Sequence, residues 1–332
     1  MQFESLEQST QIISEYPAHC QPLGPLQHLG NAGGLSGARL IAYDAPCGRL
    51  LLRSWPADMP QSRLQQIHTW VLELANHIQP VAAPLKSQLL TTFTAHAGRL
   101  HQLEPWKPGR AISTNPGPIQ VEVAASTLAS VHRTLDRLQS VGVSPSLAHR
   151  MKLLRSLRDG GLDQLAMAIN ASEGATTAEL AREWILWARG VLEAILARLA
   201  PHVLVPRVLQ PCLRDCRADH WLFQDEQLQG LIDFGAMDLE SVAFDLARLQ
   251  LDWWPDSQEA GFALTQAYCQ SYRLPDSALE LIPVLEQSTA LLAGANWTRW
   301  AFAEHRVFES SETVASGLGR SLRWMRSRLS TV

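Results

Sequence analysis

The sequence predicts an α+β protein, a small antiparallel sheet with one embedded helix followed by a largely helical remainder. Three observations carry that prediction. Short apolar runs separated by turn residues crowd the first third of the chain. Helical periodicity dominates after residue 109, and one extended, hairpin-like stretch interrupts it between residues 203 and 232. Strands and helices do not alternate as βαβ units, so a doubly wound parallel sheet is excluded.

In order, residues 6–15 read as a short helix ended near Pro17. Apolar runs at 38–43 and 49–55 flank the turn-rich Asp44-Ala-Pro-Cys-Gly48 and read as paired strands. Residues 62–78 carry Leu64, Ile67, Val71, Leu72 and Leu74 at helical spacing, and 89–93 and 100–103 read as further strands. Pro105-Trp-Lys-Pro-Gly109 is a linker. Helices follow at 121–138 and 147–157. Thr176 and Glu179 form a capping-box pattern opening a long helix that Pro201 ends. Residues 221–223 and 228–232 flank Gln224-Asp-Glu-Gln227 as a hairpin, and from 242 onward the chain is helical, interrupted near Pro255, Pro275 and Pro283. The boundary between an N-terminal and a C-terminal lobe falls between residues 104 and 105.

Composition narrows the function classes. The 332 residues are 46% hydrophobic and 18% charged, a globular profile without a disorder signature, and long enough for a core that needs no staple. A net charge of −4 offers no basic surface for nucleic acid. The start lacks a basic and apolar leader, no apolar run reaches the roughly 18 residues of a membrane span, and the five cysteines are scattered. A cytoplasmic protein with reduced thiols, and no membrane partner, is the expectation.

The chemistry concentrates in Leu213-Arg-Asp-Cys-Arg-Ala-Asp-His-Trp-Leu-Phe223 and Gly230-Leu-Ile-Asp-Phe-Gly235. Asp215 precedes the first hairpin strand and Asp233 follows the second, so pairing would bring both carboxylates to one end of the hairpin. Phosphoryl transfer needs two such groups, one to orient or deprotonate an attacking hydroxyl and one to hold a divalent cation on the phosphates. The alternative is a pair of turn carboxylates capping the hairpin. Cys212, Cys216 and His220 recur every four residues, but in a loop that spacing does not share a face, and a zinc site would want a fourth ligand. A metal-dependent hydrolase is a weaker reading, since no His-rich ligand set accompanies the carboxylates.

These motifs resemble the aminoglycoside phosphotransferase and choline kinase family, relatives of the protein kinases. Its catalytic loop reads His-Gly-Asp-x-x-x-x-Asn, followed by an apolar strand and Ile-Asp-Phe or Ile-Asp-Trp. The resemblance implies a bilobal protein-kinase-like fold with Asp215 catalytic and Asp233 binding metal. Phe244-Asp-Leu-Ala247 then matches the downstream motif whose Asp, here Asp245, braces the loop. Upstream, Gly33, Gly34, Ser36 and Gly37 match the loop over the ATP phosphates, and Arg53 stands at the phosphate-pairing Lys position. Glu104 and Trp106 fall in the hinge that meets adenine, and Ser130-Val-His132 resembles a lobe helix of the family, with His132 a packing residue. The implied activity is ATP-dependent transfer of the γ-phosphate to a hydroxyl of a small-molecule acceptor, with Mg²⁺ or Mn²⁺.

Three departures qualify the match. Leu213-Arg214 replaces the residues before the catalytic Asp. His220 replaces the metal-binding Asn, and imidazole suits Mn²⁺ better than Mg²⁺; it is either a ligand or a structural histidine, with Asp219 beside it as another oxygen donor. Arg53 replaces Lys, either clamping phosphate or sitting as a strand-edge charge, and Glu73 is the only acidic candidate for its partner in the following helix. A pseudokinase-like scaffold that binds nucleotide without transfer is the rival these departures support.

Overall fold

The computed structural model describes residues 6–29, 37–170, 176–308 and 310–329. In chain order its first elements are α1 (Leu6–Ser14), β1 (Gln27–His28), β2 (Arg39–Ala45), β3 (Gly48–Ser54), α2 (Gln61–Ala75), β4 (Thr94–His96), β5 (Arg99–Pro105) and β6 (Arg110–Ala111). Next come α3 (Pro118–Thr134), β7 (Ser140–Gly142), α4 (Pro145–Ser156), α5 (Leu162–Asn170), α6 (Thr176–Val203), β8 (Arg207–Cys212), β9 (Trp221–Gln224), β10 (Gln227–Leu231) and β11 (Asp238–Glu240). Four helices complete the chain: α7 (Ala243–Trp253), α8 (Gln258–Ser271), α9 (Asp276–Thr298) and α10 (Ser311–Leu329).

The chain forms two compact units, Met1–Ala111 with His220–Met237, and Ile112–Asp219 with Asp238–Val332. The hairpin β9–β10 thus groups with the first unit, across the single boundary drawn from the sequence. Pairing explains this: β6 adds to β9 through Arg110 opposite Phe223 and Ala111 opposite Leu222. Leu231 also donates to the Pro80 carbonyl at 2.9 Å and accepts from the Ala82 N–H at 3.0 Å.

In the first unit five strands form an antiparallel sheet ordered β1-β2-β3-β5-β4. Strand β3 alternates with the pleat. Leu50 and Leu52 pack into a core with Ile41, Tyr43, Leu103 and the α1 residues Ile12 and Ile13, whereas Arg49, Leu51 and Arg53 stand on the other face. Helix α2 buries Leu64, Ile67, Trp70, Val71 and Leu74, the stripe its sequence spacing called for.

The second unit is helical around α6, α7 and α9, with a small sheet β11-β8-β7. Every residue of α7 except Arg248 is buried, including Asp245 and Asp252. Ser144 caps α4 by accepting from Leu147 N–H at 3.1 Å, and Ser257 caps α8 from Ala260 N–H at 3.1 Å.

Three local expectations fail, the first being that Pro201 ends the long helix: it lies inside α6, which runs to Val203. Residues 89–93 form no strand. Ser87 gathers them into a turn, its hydroxyl meeting Thr91 at 2.7 Å and Leu89 N–H at 3.2 Å. Leu89 and Leu90 stay 82% and 76% exposed, and Leu90 takes a φ of 62°; the strand begins only at Thr94. Pro283 does not interrupt α9, because the buried Ile282 and Leu285 beside it hold the helix where its own N–H is missing. No helix among the described residues is long and apolar enough to cross a membrane, and none of the five cysteines forms a disulfide.

Candidate active site

Arg53 is the electrostatic centre of the first unit. It lies on the inner strand β3, 6% exposed, so it is no strand-edge surface charge. Its Nη2 meets Glu104 Oε1 at 3.3 Å and its Nη1 meets Asp233 Oδ1 at 3.3 Å. Burial works against the guanidinium charge, but the two carboxylates more than offset it and raise the pKa. The Arg53 partner therefore comes from the neighbouring strand β5 and not from α2. Glu73 of α2 sits instead 4.0 Å from His77, just past the end of its own helix. Helix α2 reaches the pair indirectly. His68 Nε2 donates to Gln102 Oε1 at 2.8 Å, and Gln102 Nε2 donates to Glu104 Oε2 at 2.5 Å. Trp55 Nε1 also donates to Gln102 Oε1, at 2.8 Å, while the Thr92 hydroxyl meets His68 Nδ1 at 2.7 Å. This assigns His68 as a neutral imidazole protonated on Nε2, and burial lowers its pKa to about 4.

Asp233 closes this chain of contacts at the end of β10, in the left-handed region with φ 61°, a conformation Asp tolerates better than most residues. Its side chain is 36% exposed. His220 Nε2 lies 3.7 Å from Asp233 Oδ2, and the His220 carbonyl accepts from Ile232 N–H at 3.1 Å. One carboxylate and one imidazole nitrogen thus face each other beyond hydrogen-bonding distance. That donor pair fits a divalent cation, and its nitrogen suits a borderline ion such as Mn²⁺ better than Mg²⁺.

Of the expected phosphate loop, Gly33, Gly34 and Ser36 lie outside the described residues. Gly37 has a φ of 73°, and its carbonyl accepts from Arg99 Nη2 at 3.3 Å. On the sheet face that carries Arg53, residues Gln27, Ala42, Asp44 and Arg49 line a recess of about 480 Å³ closed by the segment from Leu23 to Leu26. Beside it, the Arg49 guanidinium lies 5.0 Å from the centroid of the Trp106 ring.

In the second unit Asp215 sits on a loop held from behind by α7. Asp245, fully buried, accepts Leu213 N–H at 2.8 Å on Oδ2 and Arg214 N–H at 2.6 Å on Oδ1. Seven residues on, Asp252 accepts Ala218 N–H at 3.1 Å. Two helical turns put both carboxylates on one face. They bracket a tight bend in which Arg214 has a φ of 62° and Asp215 N–H returns to the Leu213 carbonyl at 2.8 Å. The Asp215 side chain is 42% exposed, with Arg248 Nε 3.8 Å from its Oδ1. Arg248 Nη1 also donates to Asp252 Oδ1 at 2.7 Å. Burial would raise the Asp252 pKa, but Arg248, Arg320 and the Ala218 N–H pull it below the usual range.

His132, Cys212 and Asp245 are the one cluster of three or more possible metal ligands among the described residues. Their atoms already have protein partners. His132 Nε2 bonds Asp245 Oδ2 at 3.0 Å and its Nδ1 meets the Tyr268 hydroxyl at 2.7 Å, while Cys212 Sγ donates to the Glu240 carbonyl at 3.2 Å. This cluster is the brace behind the loop, and it gives His132 a polar partner beyond packing. The sequence reading missed Gln102, His68, Arg248 and Asp252. Only Asp252 left a signal, its seven-residue spacing from Asp245.

The profile of the phosphotransferase enzyme family matches residues 29–281. Among solved structures, the chain is similar to an aminoglycoside phosphotransferase from Alicyclobacillus acidocaldarius at 14% identity, covering 99% of this chain and 95% of that one with a TM-score of 0.65. It is similar to a spectinomycin phosphotransferase solved with ADP and spectinomycin at 12% identity, covering 98% of each chain with a TM-score of 0.69. An amicoumacin kinase solved in complex with AMP-PNP, Ca²⁺ and Ami matches at 14% identity over 97% of this chain and 93% of that one, TM-score 0.65. At such identities the likeness establishes the protein-kinase-like fold. No curated protein matches the sequence.

Proposed function

We propose that this chain, which belongs to the phosphotransferase enzyme family, transfers the γ-phosphoryl group of ATP to a hydroxyl of a small molecule. The contact between Arg53 and Asp233 carries this reading, because a buried guanidinium held against a half-exposed carboxylate by a second acid suits a triphosphate–metal complex. Arg53 would bind phosphate oxygens, and Asp233 with His220 would hold the divalent cation. When bound, that ion neutralises charge on the transferring group. The Glu104 carboxylate is committed to Arg53, so base recognition falls to Trp106 and the recess beside Arg49. Arg49 and Arg53 are four strand residues apart, roughly 13 Å, a span that suits a nucleoside triphosphate laid along β3.

Asp215 accepts the proton of the acceptor hydroxyl as its oxygen bonds to the γ-phosphorus and the bond to the β-phosphate bridge breaks, releasing ADP. The bracing of residues 213–218 by Asp245 and Asp252 fixes that carboxylate before substrate arrives, so catalysis is mostly positioning. A transfer assay with labelled ATP over hydroxylated acceptors, run beside Asp215→Asn and Asp233→Asn, tests the roles. Asp215→Asn should lose at least a hundredfold in kcat while binding ATP normally, and Asp233→Asn should lose metal-dependent ATP binding. Full turnover in Asp215→Asn, or metal-dependent binding intact in Asp233→Asn, would overturn the respective assignment. His220 in place of an oxygen ligand favours the rival reading, a nucleotide-binding scaffold. ATP-induced stabilisation without transfer to any acceptor would establish that scaffold.

A further inference from the structure

Around the loop that carries Asp215, the second unit holds two arginines that no carboxylate pairs among the described residues. Arg248 on α7 lies 5.3 Å from the centroid of Trp324, and Arg320 on α10 lies 5.5 Å from the same ring. One turn before Arg248, Phe244 carries the Arg150 guanidinium of α4 at 5.3 Å. Three helices thus present arginines around two aromatic rings of one small region. Arg248 is paired with Asp252 and lies near Asp215. Among the described residues the other two have no carboxylate within ion-pair distance. Among the described residues Arg150 hydrogen-bonds the hydroxyls of Ser288 and Thr289, at 3.1 and 2.8 Å, both through Nη1, and its Nε and Nη2 meet no acceptor. Arg320 makes no hydrogen bond among the described residues, and Asp252, the acid that acts on it most strongly, is already bonded by Arg248.

Such an arrangement is costly for the folded chain by itself. Burial depresses the Arg150 pKa to about 10, with Glu240 opposing and the charges of Arg214 and Arg248 adding to the shift. Burial lowers Arg320 too, Asp252 countering while Arg248 and Arg217 repel it. Folding gains nothing from bringing unpaired guanidiniums together, and planar donors without acceptors are shaped for an oxyanion. A polycationic acceptor would meet repulsion here, since the nearby acids Asp219, Asp238 and Asp252 are engaged by Arg217, Arg214 and Arg248.

We propose that the acceptor is an anionic alcohol, whose carboxylate or phosphate docks on Arg150 and Arg320 beside Arg248 and so presents its hydroxyl to Asp215. This rests on the phosphotransferase reading for the role of Asp215, but the oxyanion site stands without it.

Thermal shift and calorimetric titration test the two separately. The ligands are D-glycerate and glycerol 3-phosphate, with glycerol as the neutral control and kanamycin as the polycation, each without nucleotide and then with saturating ATP and Mn²⁺. The expected result is binding of D-glycerate, glycerol 3-phosphate or both, at least tenfold tighter than glycerol or kanamycin and retained with ATP present. The tighter of the two anions identifies carboxylate or phosphate as the docking group. Arg150→Gln and Arg320→Gln should each weaken that binding tenfold or more while leaving stabilisation by ATP and Mn²⁺ intact, which also verifies folding. Binding of neither anion, equal binding of glycerol or kanamycin, displacement of the anion by ATP, or unchanged affinity in both variants would overturn the proposal. Failure of ATP to stabilise the protein would instead count against the phosphotransferase reading, whatever the anions do.

Discussion

Asp233 and Asp215 are held in opposite ways. Asp233, in the first unit, is steered by side-chain charge: Arg53 reaches it, Glu104 restrains Arg53, and Gln102 and His68 restrain Glu104. Asp215, in the second, is placed through its backbone, by two carboxylates of α7 that take N–H groups on either side of it. A charge relay can be retuned by changing one partner's ionisation or length. A backbone brace has two outcomes, formed or lost. The first arrangement suits a group whose partners change when a cation arrives, and the second suits a group that must be in place beforehand.

The sharpest way to break this contrast is Asp245→Ala. Removing a fully buried carboxylate strands the N–H groups of Leu213 and Arg214 and the Nε2 of His132. The expected cost is about 4 kcal/mol, read as a shift in the denaturation midpoint, with loss of transfer activity. Fluorescence-detected nucleotide binding should survive wherever the protein remains folded. A loss below about 1 kcal/mol would show that the bend at Arg214 holds itself.

Glu104→Gln should cost less and tune instead of abolish. The variant keeps a hydrogen-bonding side chain beside Gln102 but leaves Arg53 one anion, Asp233, so the guanidinium competes with cations for that carboxylate. A stability loss of about 2 kcal/mol is expected, with roughly a tenfold rise in the Mn²⁺ concentration needed for ATP binding, about 1.4 kcal/mol of coupling. An unchanged Mn²⁺ requirement would mean that Arg53 and Asp233 are not in competition.

The same contrast explains what the sequence disclosed. Asp215, Asp233 and Asp245 stand in contiguous strings whose neighbours belong to the same turn, strand end or helix start, so local pattern was enough. The Glu104 partnership depends on strand order. Arg53 lies opposite Gln102, and Glu104 is its diagonal neighbour, a relation that exists only once β3 pairs with β5. Nothing in the letters says which strand lies beside which, and the first acid after Arg53 in a helix was the natural but wrong place to look. The arginines over Phe244 and Trp324 were hidden for the same reason, coming from three helices up to 170 residues apart. The exposed Leu89 and Leu90 misled because apolar letters look alike in a strand and in a turn held by Ser87.

The smallest expected effect distinguishes the two units by pH. In the first, His68 is neutral when folded, its pKa lowered to about 4 by burial against an ordinary 6.5. The unfolded chain therefore binds the extra proton first, and this contribution is complete above pH 6.5 and is lost as pH falls toward 4. In the second, burial lifts Glu286 to about 7 from 4.5, against the pull of Arg328, with which it makes a buried contact of 3.2 Å. Its sign is reversed: the folded form holds the proton longer, so the contribution is complete below pH 4.5 and is lost as pH rises toward 7. Between pH 7 and 5 each contribution changes by about 2 kcal/mol in opposite directions, and the native protein should show a nearly flat profile from these two groups. His68→Gln removes one side, so its stability relative to the native protein should rise on acidification. Glu286→Gln removes the other, and its relative stability should fall. Urea unfolding at pH 7 and pH 5 reads both, and parallel profiles for the two variants would mean that neither group titrates between its folded and unfolded values in this window.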